Sequence, residues 1–334
     1  MNEPLPVLTL KDFASDQEVR WCPGCGDYAI LKTIQKLMPQ LQRPRENQVF
    51  VSGIGCASRF PYYMNTYGFH SIHGRAPAIA TGIKLANPEL DVWVVTGDGD
   101  GFSIGGNHML HVIRRNVNLQ ILLFNNEIYG LTKGQYSPTS PPGTRSPSSP
   151  EGSIDSPLSP CAVALGSGGT FIARSIDTEA KHLSAIAARG YAHNGAAFIE
   201  ILQNCPIYND GIFEQVKDKK QAPDFRVELE HGQPILFGQE NEIGIHLNRE
   251  SLSLEVIEVA GNEDRILVHD ETNKVQAQLL AVMAGPKFPV AVGVLYREDK
   301  TCFTEDNRER IDTARSKPGS LKQLLHSGHA WEVS

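Results

Sequence analysis

The sequence predicts an α/β protein whose core is a largely parallel sheet with helices on both faces. Short, continuous runs of valine, isoleucine and leucine alternate along the chain with amphipathic segments. Several of the runs end in turns rich in glycine, aspartate or asparagine. Continuous apolar runs between helices are typical of strands that are buried on both faces, as in parallel sheets. With 40% hydrophobic and 21% charged residues, the composition is that of an ordinary globular protein.

Each element follows from a local pattern. In the first predicted helix, Ile30, Ile34 and Leu37 recur at helical spacing. The second helix should end before Asn87, because a residue that precedes proline avoids the helical conformation. Helices are predicted at 26–38, 75–86, 104–115 and 179–190, and strands at 48–54, 91–96, 119–124, 170–175 and 197–202.

The pattern changes twice along the chain. Residues 136–160 hold seven prolines and many serines, so we expect a loop there, either a lid or docking loop or a plain linker. After residue 205 the chain is polar and rich in turns, and only a helix at 274–284 and a strand at 289–296 are predicted. The predicted domains are an N-terminal arm (1–25), an α/β domain (26–205) and an irregular C-terminal extension (206–334).

Charge and composition exclude several classes of protein. A formal net charge of -7 with no basic run argues against nucleic-acid binding. The N-terminus does not have the pattern of a signal peptide, and prolines interrupt the longest apolar stretch, at 279–295. We therefore expect a cytoplasmic protein with no membrane span. Its six cysteines are then core residues, metal ligands or redox groups rather than disulfides.

A glycine-rich turn after the 91–96 strand predicts a site for a diphosphate and its metal. The turn begins with Gly-Asp-Gly-Asp at 97–100, and Asn126 follows the next strand, 28 residues after Asp98. Parallel sheets bind ligands at this edge, and glycines let backbone N–H groups approach phosphate oxygens. Asp98, Asn126 and the carbonyl of Ile128 would supply oxygen ligands for Mg²⁺. The alternative is a tight turn followed by an unrelated asparagine pair.

Four of the cysteines predict an iron–sulfur cluster. Cys22 and Cys25 form a Cys-x-x-Cys turn, whereas Cys56 and Cys205 each follow a predicted strand. Because parallel strands end at one edge of a sheet, the four thiolates could meet beside the diphosphate site, and four thiolates suit a [4Fe–4S] cluster. A thioredoxin-like dithiol, a structural zinc site and ordinary buried cysteines remain as alternatives. Cys161 and Cys302 have no partners at suggestive spacing.

These motifs together resemble the thiamine-diphosphate-binding β subunits of 2-oxoacid:ferredoxin oxidoreductases. They occur in that family's order between residues 20 and 206: WCPGCGD, GIGCA, HGRAPAIATG, GDGD, NNEIYGLTKGQ and QNCP. The resemblance implies the thiamine-diphosphate-binding fold of the diphosphate-binding type. It also implies a bound thiamine diphosphate with Mg²⁺ and a [4Fe–4S] cluster.

The resemblance carries specific roles onto residues of this chain. Mg²⁺ would be bound by Asp98, Asn126 and Ile128, and the cluster by Cys22, Cys25, Cys56 and Cys205. The residues expected to lie against the cofactor are Ile54, Gly55, Cys56, Ala57, His73, Gly99, Asp100, Gly130 and Leu131. His73 is expected to donate to the diphosphate, unless it is an ordinary loop histidine. Lys133, with Thr132, would contact the substrate carboxylate, or else Lys133 lies in solvent.

The resemblance also implies an activity and partners. We expect oxidative decarboxylation of a 2-oxoacid to an acyl-coenzyme A and CO₂, with electrons passed to ferredoxin, and 2-oxoglutarate is the favoured substrate. The glutamate that activates the cofactor is expected on an α subunit, in a heterodimer or an (αβ)₂ assembly. The alternatives are a pyruvate or broad 2-oxoacid enzyme, a non-redox thiamine-dependent decarboxylase or synthase subunit, and a zinc-stabilised scaffold.

Overall fold

A computed structural model describes residues 8–316, 319–328 and 331 of the chain. Its centre is an eight-stranded sheet with the strand order β2-β1-β3-β4-β8-β7-β13-β9. The strands are β1 Gln48–Ser52, β2 Tyr67–His70, β3 Asp91–Gly97, β4 Leu119–Asn125, β5 Ile128–Tyr129, β6 Gln135–Tyr136, β7 Phe171–Ile176, β8 Ala196–Leu202, β9 Arg226–Leu229, β10 Leu236–Phe237, β11 Ile243–Asn248, β12 Ser253–Glu258 and β13 Val290–Arg297.

The first six strands of this order run parallel, and β13 pairs antiparallel with β7. The helices are α1 Leu10–Phe13, α2 Asp27–Leu37, α3 Ala76–Ala86, α4 Gly106–Arg115, α5 Pro160–Gly166, α6 Ala180–Ala192, α7 Glu214–Lys217, α8 Ala222–Phe225, α9 Lys274–Ala281, α10 Phe303–Ser316 and α11 Leu321–Leu325. The predicted α/β class with a mostly parallel sheet is therefore confirmed.

Both faces of the sheet are covered, because alternate side chains of each strand enter different cores. On one face Val94 and Ile121 pack with residues of α3, α4, α5 and α9. On the other, Trp93 and Leu122 pack with residues of α2 and α6. Burial on both faces explains why the central strands have continuous apolar sequences rather than an alternating pattern.

The C-terminal extension is more regular than the sequence predicted. Strands β9 and β13 extend the main sheet, and β10, β11 and β12 form a separate three-stranded antiparallel sheet. The helix and strand predicted near the end of the chain are present as α9 and β13. These segments therefore hold more regular structure than the sequence analysis expected.

Within the part of the chain that the structure describes, no helix is both long and apolar enough to cross a membrane. The cytoplasmic location remains a prediction.

Candidate functional site

The predicted site residues lie on loops at one edge of the sheet. Strands β1, β3, β4 and β8 are neighbours and run parallel, so the loops that follow them leave the same edge. These loops carry Cys56, Asp98, Asn126 and Cys205. The fold therefore brings the predicted metal ligands and two of the predicted cluster cysteines to one side of the molecule.

Asp98 is a buried carboxylate with no cationic partner among the described residues. It is only 2% exposed, and its Oδ2 accepts a hydrogen bond of 2.7 Å from the Thr139 hydroxyl. Burial raises the pKa of Asp98, and hydrogen bonds from Ser137 and Thr139 oppose the rise. A buried carboxylate of this kind is stabilised by a bound cation, so the position fits a Mg²⁺ ligand.

The other two predicted Mg²⁺ ligands lie on a tight turn after β4. The side-chain oxygen of Asn126 accepts from the backbone N–H of Ile128 at 3.2 Å, and Glu127 between them has a positive φ of 55°. From the far side, Asn209 donates to the Asn126 carbonyl at 2.9 Å. Burial, and then the neighbouring Asp98, raise the pKa of Glu127 to about 8. The turn thus presents oxygen donors next to a second carboxyl group that favours its protonated form.

Asp100 joins the loops around the site. Its Oδ1 accepts from His73 Nδ1 at 2.5 Å and from the backbone N–H groups of Gly74 and Ile54 at 2.7 and 3.1 Å. Its Oδ2 accepts from the Thr96 hydroxyl at 2.7 Å. This carboxylate is 3% exposed, so its visible role is to hold the loops that carry Ile54 and His73. The predicted contact of Asp100 with the cofactor stays a prediction.

Two glycines show where a ligand has room and where it has none. A Cβ added to Gly55, whose φ is 139°, would meet no atom within 4 Å, so open space adjoins this loop. In contrast, a Cβ at Gly99 would lie 2.2 Å from the ring of Tyr129, whose hydroxyl donates to the Gly99 carbonyl at 3.1 Å. Gly99 is therefore covered by Tyr129, and its predicted cofactor contact is also untested.

Gly130, just after the turn with the predicted Mg²⁺ ligands, lies close to two of the cysteines. A Cβ added to Gly130 would lie 3.5 Å from the Cys56 sulfur and 3.6 Å from the Cys205 sulfur. Both sulfur atoms are thus close to the same point, two residues after Ile128. These distances are those of ordinary van der Waals contact, so Gly130 lies directly beside both sulfurs.

The Cys-x-x-Cys turn lies against the same region. Gly24, with a φ of 82°, packs on Pro206, the residue that follows Cys205. The Gln203 amide donates to the Cys25 sulfur at 3.3 Å. The Trp21 indole donates to the Cys56 carbonyl at 2.7 Å, which ties the arm to the loop after β1.

Burial favours the protonated form of two of the cysteines, Cys25 and Cys56. Burial, followed by the Asp27 carboxylate, raises the pKa of Cys25 far above its usual value and that of Cys56 to about 12. The neighbouring cysteines raise both pKa values further. Among the described residues, no three histidine, cysteine or carboxylate side chains converge tightly enough to hold a single metal ion. Binding of a metal or cluster would displace the thiol protons.

Some predicted residues lie apart from this centre, and others were missed. Leu131, Thr132 and Lys133 are exposed at the tip of the β5–β6 hairpin, with Lys133 at a φ of 77°. Sequence reasoning did not single out Thr139 or Tyr129, because both act through contacts made by loops whose paths the sequence does not define. Their position near Asn126 in the chain is the only signal that would have pointed to them.

The fold and the site define a thiamine-diphosphate-binding protein. The family described as thiamine pyrophosphate enzyme, C-terminal TPP binding domain, matches residues 53–201. "2-Oxoglutarate oxidoreductase subunit KorB" of Mycobacterium tuberculosis is 49% identical over 331 residues, which cover 97% of this chain and 88% of the relative. "2-Oxoacid:ferredoxin oxidoreductase 2, subunit beta" of Aeropyrum pernix is 44% identical, over 60% of this chain and 64% of the relative.

A solved structure is similar over almost the whole chain. It is a 2-oxoglutarate:ferredoxin oxidoreductase from Magnetococcus marinus with 2-oxoglutarate, coenzyme A and succinyl-CoA bound. It is 31% identical, with a TM-score of 0.77, and the match covers 96% of this chain and 95% of that chain. The chain therefore belongs to the β subunits of the 2-oxoacid:ferredoxin oxidoreductases.

Proposed function

We propose that this subunit binds thiamine diphosphate for the reversible oxidative decarboxylation of a 2-oxoacid to an acyl-coenzyme A and CO₂, with ferredoxin as electron acceptor. One observation carries the proposal: the sulfurs of Cys56 and Cys205 both lie within 3.6 Å of the Cβ position at Gly130. Gly130 directly follows strand β5, which begins at the predicted Mg²⁺ ligand Ile128. An electron carrier held by these cysteines would lie beside the cofactor, which non-redox thiamine enzymes do not require.

The diphosphate and its metal would be held by residues that follow strands β3 and β4. Asp98, Asn126 and the Ile128 carbonyl supply the oxygen ligands, and the buried carboxylate of Asp98 gains the cation that it lacks among the described residues. When bound, thiamine diphosphate accepts the electron pair that is released as CO₂ leaves the 2-oxoacid. Asp100 keeps the loops with Ile54 and His73 in place around this site.

The four cysteines would hold a [4Fe–4S] cluster. Four thiolates are the usual ligands of such a cluster, which transfers electrons one at a time. Gln203 donates to the Cys25 sulfur, and hydrogen bonds of this kind tune a cluster's reduction potential. Cys22 is exposed, so the side of the cluster that it ligates would face solvent or a partner such as ferredoxin.

We favour 2-oxoglutarate as the substrate. The Mycobacterium tuberculosis relative is named for it, and the similar solved structure holds 2-oxoglutarate, coenzyme A and succinyl-CoA. Lys133 forms no ion pair with the described residues and is exposed at the tip of the hairpin that follows Ile128, where it could pair with a second carboxylate. Relatives from Aeropyrum and Saccharolobus are named as general 2-oxoacid enzymes, which supports a broader range as the second candidate.

Activity is proposed to require an α subunit. A thiamine enzyme needs a glutamate beside the cofactor's aminopyrimidine ring, supplied from a second domain that faces this one. The family match in this chain covers one such domain, at 53–201. We therefore expect a heterodimer or an (αβ)₂ assembly, with no turnover by this chain alone.

The cluster is tested by purifying the αβ complex anaerobically and measuring iron, acid-labile sulfide and zinc assigned to this subunit. We expect about four irons and four sulfides per β subunit, and their loss in Cys22→Ser and Cys205→Ser. Cys302→Ser is the matched control, because Cys302 is buried and the next residue, Phe303, donates to the Asn116 carbonyl, which lies before β4 rather than after it. One zinc with no sulfide would refute the redox function.

The substrate is tested separately, by comparing the turnover rates of the αβ complex with 2-oxoglutarate and with pyruvate.

A further inference from the structure

The hydroxyl of Thr139, in the proline- and serine-rich loop, points at a predicted metal ligand. It lies 2.7 Å from Asp98 Oδ2 and 3.0 Å from Asn125 Oδ1. A hydroxyl has one proton, so it donates to one of the two. The carboxylate is closer and binds a donor more strongly than a neutral amide oxygen does. The Ser137 hydroxyl, 3.1 Å away, can in turn donate to Thr139.

The loop itself holds this threonine in place. The Ser137 backbone N–H donates to the Ser140 hydroxyl at 2.7 Å, and that hydroxyl donates to the carbonyl of Glu127 in the metal-binding turn. At the other end of the loop, Leu158 N–H donates to the Pro138 carbonyl at 2.8 Å. Thr139 is 4% exposed. These bonds hold the backbone on both sides of Thr139. Because its side chain is also buried, its hydroxyl keeps one orientation toward Asp98.

Beyond Thr139, a chain of buried polar groups crosses the sheet. Asn125 Nδ2 donates to Glu200 Oε1 at 2.7 Å, and Arg174 Nε donates to Glu200 Oε2 at 2.7 Å. Arg174 also donates to the carbonyls of Ala291 and Ala281, at 3.1 and 3.2 Å. The Asn125 side chain, which lies beside Thr139, is thus fixed by the interior of the sheet.

We propose that Thr139 is a positioning residue that orients the Asp98 carboxylate for Mg²⁺. By holding Oδ2, it fixes the rotation of the carboxylate and leaves the second oxygen for the cation. The inference rests on the proposed function, because it requires the metal to bind at Asp98. Groups that orient a metal ligand typically change metal affinity 10- to 100-fold when they are removed.

The test is the Mg²⁺ dependence of thiamine diphosphate binding to the αβ complex, measured by calorimetry without turnover. Thr139→Val keeps the volume and removes the hydroxyl, and we expect the Mg²⁺ concentration for half-maximal binding to rise about tenfold. Thr139→Ser should restore the wild-type value. Thr144→Val is the matched control, because Thr144 lies in the same loop but donates to the Pro141 carbonyl.

The outcomes separate the two proposals. If the wild-type complex binds no thiamine diphosphate with Mg²⁺, the proposed function fails. If the wild type binds it and Thr139→Val matches the wild type, the positioning role is refuted, and so it is if Thr144→Val shows the same shift. Should the valine variant not fold, Thr139→Ala adds no apolar bulk and is expected to show the same rise.

Discussion

Asp100 is a single carboxylate that joins two separate loops to strand β3. Its four hydrogen-bond donors come from His73, Gly74, Ile54 and Thr96. Ile54 and His73 belong to loops that follow β1 and β2, whereas Thr96 lies in β3. The arrangement of the loops at the predicted cofactor site therefore depends on a residue whose own side chain is buried.

Replacing the Asp100 carboxylate should lower the stability of the folded protein. In Asp100→Asn we expect a loss of about 2 kcal/mol in the free energy of unfolding, because a buried, charged acceptor of several hydrogen bonds is removed. Denaturant unfolding of the purified protein measures this loss. Asp299→Asn is the control, because its carboxylate is 82% exposed. Equal stability of the two variants would show that the Asp100 contacts contribute little.

Among single residues, the sequence predicted the positions of those that directly follow a predicted strand. Asp98, Asn126 and the two cysteines after strands could be placed at one edge, because strand ends converge in a parallel sheet. The roles of Thr139 and Asp100 could not be predicted. Each depends on which distant loop lies opposite its side chain, and that is decided by packing over the whole domain.

Buried strands were easier to predict from the sequence than strands and helices that are partly or fully exposed. Strands β3, β4 and β8 have continuous apolar sequences, and they were found within one or two residues of the observed bounds. Strands β11 and β12 were missed, because they mix buried and exposed positions in polar sequence. Helix α10 was missed as well, since almost all of its side chains are exposed and no apolar stripe marks it.

One buried ion pair connects two of these strands. Arg174 of β7 and Glu200 of β8 are 2.7 Å apart, with side chains 6% and 2% exposed. Removing one partner of such a pair leaves an unpaired charge in the interior. We expect Glu200→Gln to lower the free energy of unfolding by about 3 kcal/mol, measured by denaturant unfolding.

An exposed ion pair provides the comparison. Arg308 and Glu89 are also close, at 2.8 Å, but their side chains are 58% and 68% exposed. Glu89→Gln should change stability by about 0.5 kcal/mol or less, because solvent already screens this pair. The interpretation of the Arg174–Glu200 pair would be wrong if the two glutamine variants lost similar amounts.

At the scale of the whole molecule, the β2 edge of the sheet is a surface that the described residues leave open. All four residues of β2 are exposed, and Tyr67 and Phe69 are 63% and 47% exposed. Nearby, Ile72 is 72% exposed. Bare strand edges and apolar patches are normally covered in the functional assembly.

We expect assembly with the α subunit to cover this edge. Backbone amides of residues 67–70 should exchange with deuterium more slowly in the complex than in the isolated chain, because a covered edge excludes water. The exposed turn at 249–252 is the internal reference and should not change. Unchanged exchange at 67–70 would place the interface elsewhere.

The position of β13 also governs how the protein can be made. This strand lies between β7 and β9 in the sheet but follows both of them in the chain. The carbonyl of Ala291 in β13 accepts a hydrogen bond from Arg174. A ribosome releases β7 and β8 long before β13. Until then, one edge of β7 is bare and the buried Arg174 lacks its acceptor at Ala291, so the nascent domain cannot reach its final state. Polypeptides truncated before residue 290 should therefore aggregate rather than fold into shortened subunits that still bind the cofactor.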